Sequence, residues 1–332
     1  MVWFEGARNQ VLTTRYRWSR FLVRVLLAGT PALVLPIFDA VSRSDIEVTG
    51  VLTNKPRPRG RSGEPIPTPV SFWAHENSYP VHHIDEMITN PSLLENVDLV
   101  LVVAFGQLIP KSILGIPRCG WANVHFSHLP EARGAAPVQR LIAAGRSEIG
   151  YSLFRLDEGM DTGPVYYRSE LFHIAGLTTG QAWRILTDEA ATSIVELLHE
   201  IGEGQVPIAQ PEYGGEIPLA PKITPQEAQI HWLEANEEIE RKIRAFNPAP
   251  SAWTTLRGER FIIHLAEVAS GQELEVDGDV NVGKISRTVD GVLVRCGTGF
   301  IRCLEVQPSG RRAMSAAEWA RGIASETELR FE

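Results

Sequence analysis

The chain has 332 residues, 44% of them hydrophobic and 22% charged, enough for two domains of ordinary size around real cores. A formal net charge of −8 excludes a whole-molecule electrostatic footprint for nucleic acid, so any RNA contact has to come from local basic patches. There is no apolar run long enough for a membrane helix, and Cys119, Cys296 and Cys303 lack metal-ligand spacing, reading as reduced packing residues of a cytoplasmic protein.

Residues 1–22 carry Arg8, Arg15, Arg17 and Arg20 against Glu5 alone, without the apolar stretch of a secretory signal. An organelle transit peptide is one reading; the favoured one is a disordered extension or a start codon placed too early. Residues 23–27 read as a buried strand, running into Ala28-Gly29-Thr30-Pro31. Pro31 suits the first turn of a helix, and Leu33, Ile37 and Val41 continue it at helical spacing. That turn lacks the remaining glycines of a dinucleotide fingerprint and the lysine of a phosphate loop, so it reads as a tight strand-to-helix connection. Strands follow at 46–53, at 99–103 as a continuous apolar run, and around Asn123 and His125, whose strand pattern Leu129-Pro130 breaks. Residues 133–142 look like a loop entering a helix. A longer helix opens at a Thr178/Gln181 capping box, carries Leu186, Ala190, Ile194, Leu197, Leu198 and Ile201 on one face, and ends at Gly202 and Gly204.

Strands alternating with helices predict an α/β domain over 23–206 with a doubly wound, mostly parallel, Rossmann-like sheet. The Pro- and Gly-rich stretch 207–226 reads as a linker. Beyond it, Asn236 is expected to cap a short helix bearing Ile239, Ile243 and Phe246. Short strands punctuated at Arg257-Gly258, Asp290-Gly291 and Gly297-Thr298-Gly299, and a terminal helix capped by Ser315 with Glu318, predict a small OB-like β-barrel over 227–332.

Asn123 and His125 stand two apart, so a strand puts both on one face, with Cβ atoms about 6–7 Å apart. A small oxygen between them could take two hydrogen bonds, and a carboxylate from a later loop, Asp161, would complete an acyl-transfer site. Taken alone, a buried histidine in an Asn-x-His pair is more often a hydrogen-bonded core residue than a catalyst.

The surrounding segments add more. Asn123-Val124-His125-Phe126-Ser127-His128-Leu129-Pro130, then Arg133-Gly134-Ala135-Ala136-Pro137-Val138-Gln139-Arg140, then Asp157-Glu158-Gly159-Met160-Asp161-Thr162-Gly163, resemble the 10-formyltetrahydrofolate-dependent formyltransferase family. Three further stretches resemble the branch acting on initiator Met-tRNA. These are Arg57-Pro58-Arg59-Gly60-Arg61 with Pro67-Thr68-Pro69-Val70, Ala228-Gln229-Ile230-His231-Trp232 with Ile243-Arg244-Ala245-Phe246-Asn247-Pro248, and Gln307-Pro308-Ser309-Gly310-Arg311-Arg312.

The resemblance implies a cytoplasmic, monomeric enzyme that needs no metal and moves the formyl group of 10-formyltetrahydrofolate to the amine of methionine esterified to initiator tRNA. Asn123 and His125 would stabilise the oxyanion, and Asp161 would orient His125 and assist proton transfer. Ser127, His128, Leu129, Pro130, Phe105, Gly106 and Leu108 would form the folate pocket. Arg57, Arg59 and above all Arg61 would contact tRNA, with Arg241, Lys242, Arg244, Arg311 and Arg312 on the second domain. Departures from the family pattern are Gly63 and Glu64 where lysines are usual, His128 for a leucine, Glu131-Ala132 for a basic-aromatic pair, and Ala249 for a tryptophan. From Lys222 onward, 14 Lys and Arg face 17 Asp and Glu, a net −3 where a basic platform is expected. The alternatives are formylation of an amino sugar or small amine, hydrolysis of formyl-folate, or a catalytically silent RNA- or folate-binding protein.

Overall fold

A computed structural model describes residues 22–58, 63–269, 282–289, 291–322 and 329–332. The expected N-terminal extension, apart from Leu22, and the residues Arg59, Arg61 and Asp290 lie outside the described residues.

Seven strands form the first sheet: β1 (Arg24–Gly29), β2 (Glu47–Leu52), β3 (Val81–His82), β4 (Leu99–Val103), β5 (Trp121–His125), β6 (Ser152–Arg155) and β7 (Val165–Arg168). Their order is β7-β6-β5-β4-β1-β2-β3. The five strands from β3 to β5 run parallel in the 3-2-1-4-5 order of a Rossmann-like sheet, and β6 and β7 extend it antiparallel. Helices α1 (Leu35–Ser42), α2 (Pro69–Glu76), α3 (Ile84–Thr89), α4 (Lys111–Leu114), α5 (Pro137–Ala143) and α6 (Thr179–Gly202) accompany it. Alternation along the strands divides the core in two. Val25, Leu27, Leu99, Leu101, Val103 and Val124 pack with α1, α5 and α6. Leu26, Ala28, Val100, Val102 and Trp121 pack with Met87, Leu94 and Ile113 on the other face. Burial on both faces is why β1 and β4 read as unbroken apolar runs. The Thr178 cap of α6 forms as its sequence demands: Thr178 Oγ1 accepts from the Gln181 amide at 3.3 Å, and Gln181 Oε1 from the Thr178 amide at 2.8 Å.

The second unit holds α7 (Asn236–Ala245), β8 (Ala252–Leu256), β9 (Glu259–Val268), β10 (Lys284–Arg287), β11 (Val292–Arg295), β12 (Phe300–Pro308), β13 (Met314–Ser315), α8 (Ala316–Arg321) and β14 (Leu329–Arg330). The strands pair antiparallel in the order β8-β9-β12-β11-β10-β14, with β13 on β12. The sheet curls until its edges meet: Leu256 bridges Phe331, and the Glu332 amide donates to the Thr255 carbonyl at 3.0 Å. Phe331 stacks on Trp232 at 5.3 Å, so the last residues both close the barrel and fill it.

One expectation is corrected. Asn236 does not cap α7. Ala235 takes that position, while Asn236 is the first helical residue and ties the helix to the barrel, its Nδ2 donating to the Phe300 carbonyl at 3.4 Å. The stretch expected as a linker is fastened along the first unit. Ile208 exchanges two backbone hydrogen bonds with Val165, the Ala132 amide donates to the Pro218 carbonyl at 2.9 Å, and the Ala220 amide donates to the Arg133 carbonyl at 2.7 Å. These bonds use main-chain groups, which leave no side-chain periodicity to read. The two units are also joined directly: Ala245 and Phe246 at the end of α7 are buried in the first core, and Thr179 Oγ1 donates to the Ala245 carbonyl at 2.6 Å.

Candidate active site

Strand β5 begins at Trp121, fully buried, whose indole donates to the Ile113 carbonyl at 3.2 Å. Asn123 and His125 follow on the same face, toward the carboxyl end of the parallel strands, where ligands bind in such sheets. Asn123 lies opposite Val102 on β4 and Phe154 on β6, and no hydrogen bond among the described residues engages its side-chain amide. His125 is 5% exposed. Its Nε2 lies 2.9 Å from the Ala132 carbonyl oxygen. A carbonyl only accepts, so Nε2 carries a proton and Nδ1 is left facing Asp161 Oδ2 at 3.7 Å, beyond hydrogen-bond length. Burial pushes the His125 pKa below its usual range; the Asp161 carboxylate and the Ala132 carbonyl oppose that shift.

Asp161 sits in a tight loop. Asp157 Oδ1 accepts from the Gly159 amide at 3.0 Å and from Thr162 Oγ1 at 2.7 Å. Gly163 is required at the loop's exit, since a Cβ there would stand 1.8 Å from the Arg155 carbonyl oxygen. Asp161 Oδ2 accepts from the Gly134 amide at 2.7 Å. The fold thus gathers an unengaged amide and a buried imidazole from one strand and a carboxylate from a later loop. Among the described residues, no group of His, Cys, Asp and Glu is arranged to hold a metal ion.

Of the residues expected at a folate pocket, Phe105 is buried while Gly106 and Leu108 are exposed just beyond β4. That loop is held by Thr30 Oγ1 and Asn54 Nδ2, which donate to the Phe105 carbonyl at 3.1 and 3.3 Å. Thr30 reads only as part of a strand-to-helix turn and Asn54 was not singled out in the sequence, although both follow strands whose carboxyl ends converge here. Ser127 and Pro130 are buried. Leu129 packs with Phe154 and Val165, its amide donates to Ser152 Oγ, and its carbonyl accepts from Arg168. The His128 ring lies against Gly150, where a Cβ would come within 2.2 Å of Nε2, and that nitrogen has no hydrogen-bond partner among the described residues.

The basic residues divide. Arg57 is exposed at the base of a hairpin formed by Arg57–Pro58 and Pro65–Ile66, and Arg311 and Arg312 are exposed after β12. Lys242 and Arg244, expected to meet tRNA, are occupied within the chain. Lys242 Nζ pairs with Glu234 at 2.7 Å, and Arg244 pairs with Glu240 and donates to the Leu177 carbonyl at 3.1 Å. Arg241 lies against Gly145, its Nε buried. Arg241 and Arg244 therefore serve the junction between the two units, and Lys242 is held inside the second. Topology instead adds Arg257 and Arg260 beside the β12 turn, where they line a cavity of about 470 Å³ with Ser309 and Trp319. A larger cavity of about 670 Å³ opens near the amino end of β5, between Arg118, Gly120 and Arg155, and contains none of Asn123, His125 or Asp161.

Comparison with known proteins also divides the chain into two domains. The family described as "Formyl transferase" matches residues 22–198, and "Formyl transferase, C-terminal domain" matches residues 222–324. The chain belongs to the formyl transferase family, a family of transferases. A protein of Paenarthrobacter aurescens named methionyl-tRNA formyltransferase is 37% identical, over 93% of this chain and 100% of that one. One of the same name from Acidothermus cellulolyticus is 38% identical with the same coverage. Among solved structures, HypX from Aquifex aeolicus in complex with tetrahydrofolic acid shares the fold, with a TM-score of 0.64 at 15% identity, covering 94% of this chain and 51% of that one.

Proposed function

We propose that the protein transfers the formyl group of 10-formyltetrahydrofolate to the amino group of methionine carried on initiator tRNA. The observation that carries this reading is the similarity through both domains to relatives named methionyl-tRNA formyltransferase. The crystal complex of the HypX relative with tetrahydrofolic acid supports the donor class.

In the reaction the amine attacks the formyl carbon, the carbonyl oxygen gains negative charge, and collapse breaks the bond to N10 of the folate. The amine loses a proton and N10 gains one, so no metal and no covalent enzyme intermediate are required. Asn123 donates its amide to the developing oxyanion. His125 has its Nε2 proton engaged by Ala132, so only Nδ1 is available. Neutral His125 can accept a proton at Nδ1; once protonated it donates from Nδ1, with the Asp161 carboxylate stabilising the cation. The oxyanion role of His125 is thus confined to its protonated form, and Asp161 favours that form against burial. Arg57, Arg59, Arg61, Arg311 and Arg312 engage tRNA phosphates. The family resemblance supports a monomer, and initiator tRNA as substrate supports a cytoplasmic location.

The test is incubation with 10-formyltetrahydrofolate and initiator Met-tRNA. Formyl-Met-tRNA is expected; formylation of an amino sugar with none of the tRNA would overturn the acceptor.

A further inference from the structure

Gln210 lies in the ordered connector between the two units, against the loop that carries Asp161. Its Nε2 donates to the Asp161 carbonyl and to the Gly163 carbonyl, both at 2.8 Å. Its Oε1 accepts from Arg133 Nε at 3.2 Å and from Arg133 Nη2 at 2.5 Å. One side-chain amide thereby uses both donors and its acceptor to join the connector, the 161–163 loop and the 133–134 turn. The same turn supplies the Gly134 amide to Asp161 Oδ2 at 2.7 Å. Asp161 has a φ of +53°, a left-handed conformation that a residue with a side chain holds only when its surroundings fix it. The two carbonyls flanking Thr162 are therefore the points at which the loop is clamped. Gln210 is chemically suited to the clamp. A glutamate would set a carboxylate against two carbonyl oxygens, a lysine would oppose Arg133, and an asparagine would fall one methylene short.

We propose that Gln210 is a positioning residue that holds the Asp161 carboxylate beside His125 and ties that geometry to the connector leading into the second domain. The proposal rests on the role given above to Asp161. It also accounts for the course of the connector, whose backbone continues past Pro218 and Ala220 along the same 132–136 segment.

Steady-state formylation by Gln210→Glu and Gln210→Leu tests it, with the melting temperature of each. Gln210→Glu retains an oxygen for Arg133 and loses both donors; Gln210→Leu loses all three bonds. A fall in kcat of about ten- to a hundredfold is expected in each, as for a catalytic group displaced by a fraction of an ångström to an ångström, with KM for 10-formyltetrahydrofolate and the melting temperature nearly unchanged. Wild-type kcat in either variant, or a loss of rate that only tracks loss of folded protein, overturns the proposal. Asp161→Asn is measured in parallel. Full activity there sinks the role of Asp161 itself, whereas inactivity there with active Gln210 variants sinks only the clamp.

Discussion

Asn123 presents an amide that no described protein group engages, on the same strand face as a histidine whose Nε2 is already committed. It is therefore the donor that needs no proton to be acquired before it can serve an oxyanion. Asn123→Ala is expected to lower kcat by about a hundred- to a thousandfold, the cost of removing one pre-placed donor, while folate affinity by calorimetry changes little. His128 makes the opposite case. Burial pushes the pKa values of His82, His125 and His128 below their usual range. The unfolded chain then binds protons near pH 6.5 that the folded one does not, so stability is full above that pH and falls below it. His128→Leu removes one of these groups together with an unpartnered buried nitrogen. Thermal melts should show a larger gain at pH 6 than at pH 8; an equal gain would mean that His128 does not titrate in this window. The pairing of Asn123 with His125 was legible from strand periodicity alone. The tautomer was not, because Ala132 reaches His125 through a turn that has no period.

Among the elements, the turn at Gly134 is tightly constrained. Its φ is +126°, and a Cβ would stand 2.5 Å from the Ala220 carbonyl oxygen of the connector. Gly134→Ala must therefore strain the turn or push the connector away, and either movement draws the Gly134 amide from Asp161. A loss of about 1–3 kcal/mol in urea melts is expected, together with reduced kcat. Unchanged stability would mean that connector and turn do not press on one another in solution. The helices and central strands were readable because each buries a face with a simple period: Leu99–Val103 on both sides, α6 along one stripe behind its cap. The attachments of the connector were not readable, because it is held by backbone hydrogen bonds and by Gln210, and a Pro- and Gly-rich composition records neither.

For the whole molecule the question is how an acidic chain holds an acidic substrate. Lys242 is engaged within the second unit and Arg244 at the junction, leaving Arg57, Arg311 and Arg312 exposed, with Arg257 and Arg260 beside the latter pair. With about three to five phosphates neutralised, log affinity should fall with log salt at a slope of about −2 to −5; a slope near −9 would require a far more basic surface. Lys242→Ala should cost about 1–2 kcal/mol of stability in thermal or urea melts and leave tRNA affinity nearly unchanged, whereas Arg311→Ala with Arg312→Ala should weaken tRNA and flatten the salt slope. If Lys242→Ala weakens tRNA as strongly as the arginine pair, the Lys242–Glu234 pair opens on binding. Local pattern by itself determined the parallel sheet, the barrel and the strand face carrying Asn123 and His125, because burial imposes short periods that a linear chain displays. Only the tertiary structure decided which cations stay free, which imidazole nitrogen is available, and that the connector reaches Asp161. Each of these depends on groups far apart in sequence meeting through single hydrogen bonds or ion pairs, and a contact made once has no period to reveal it.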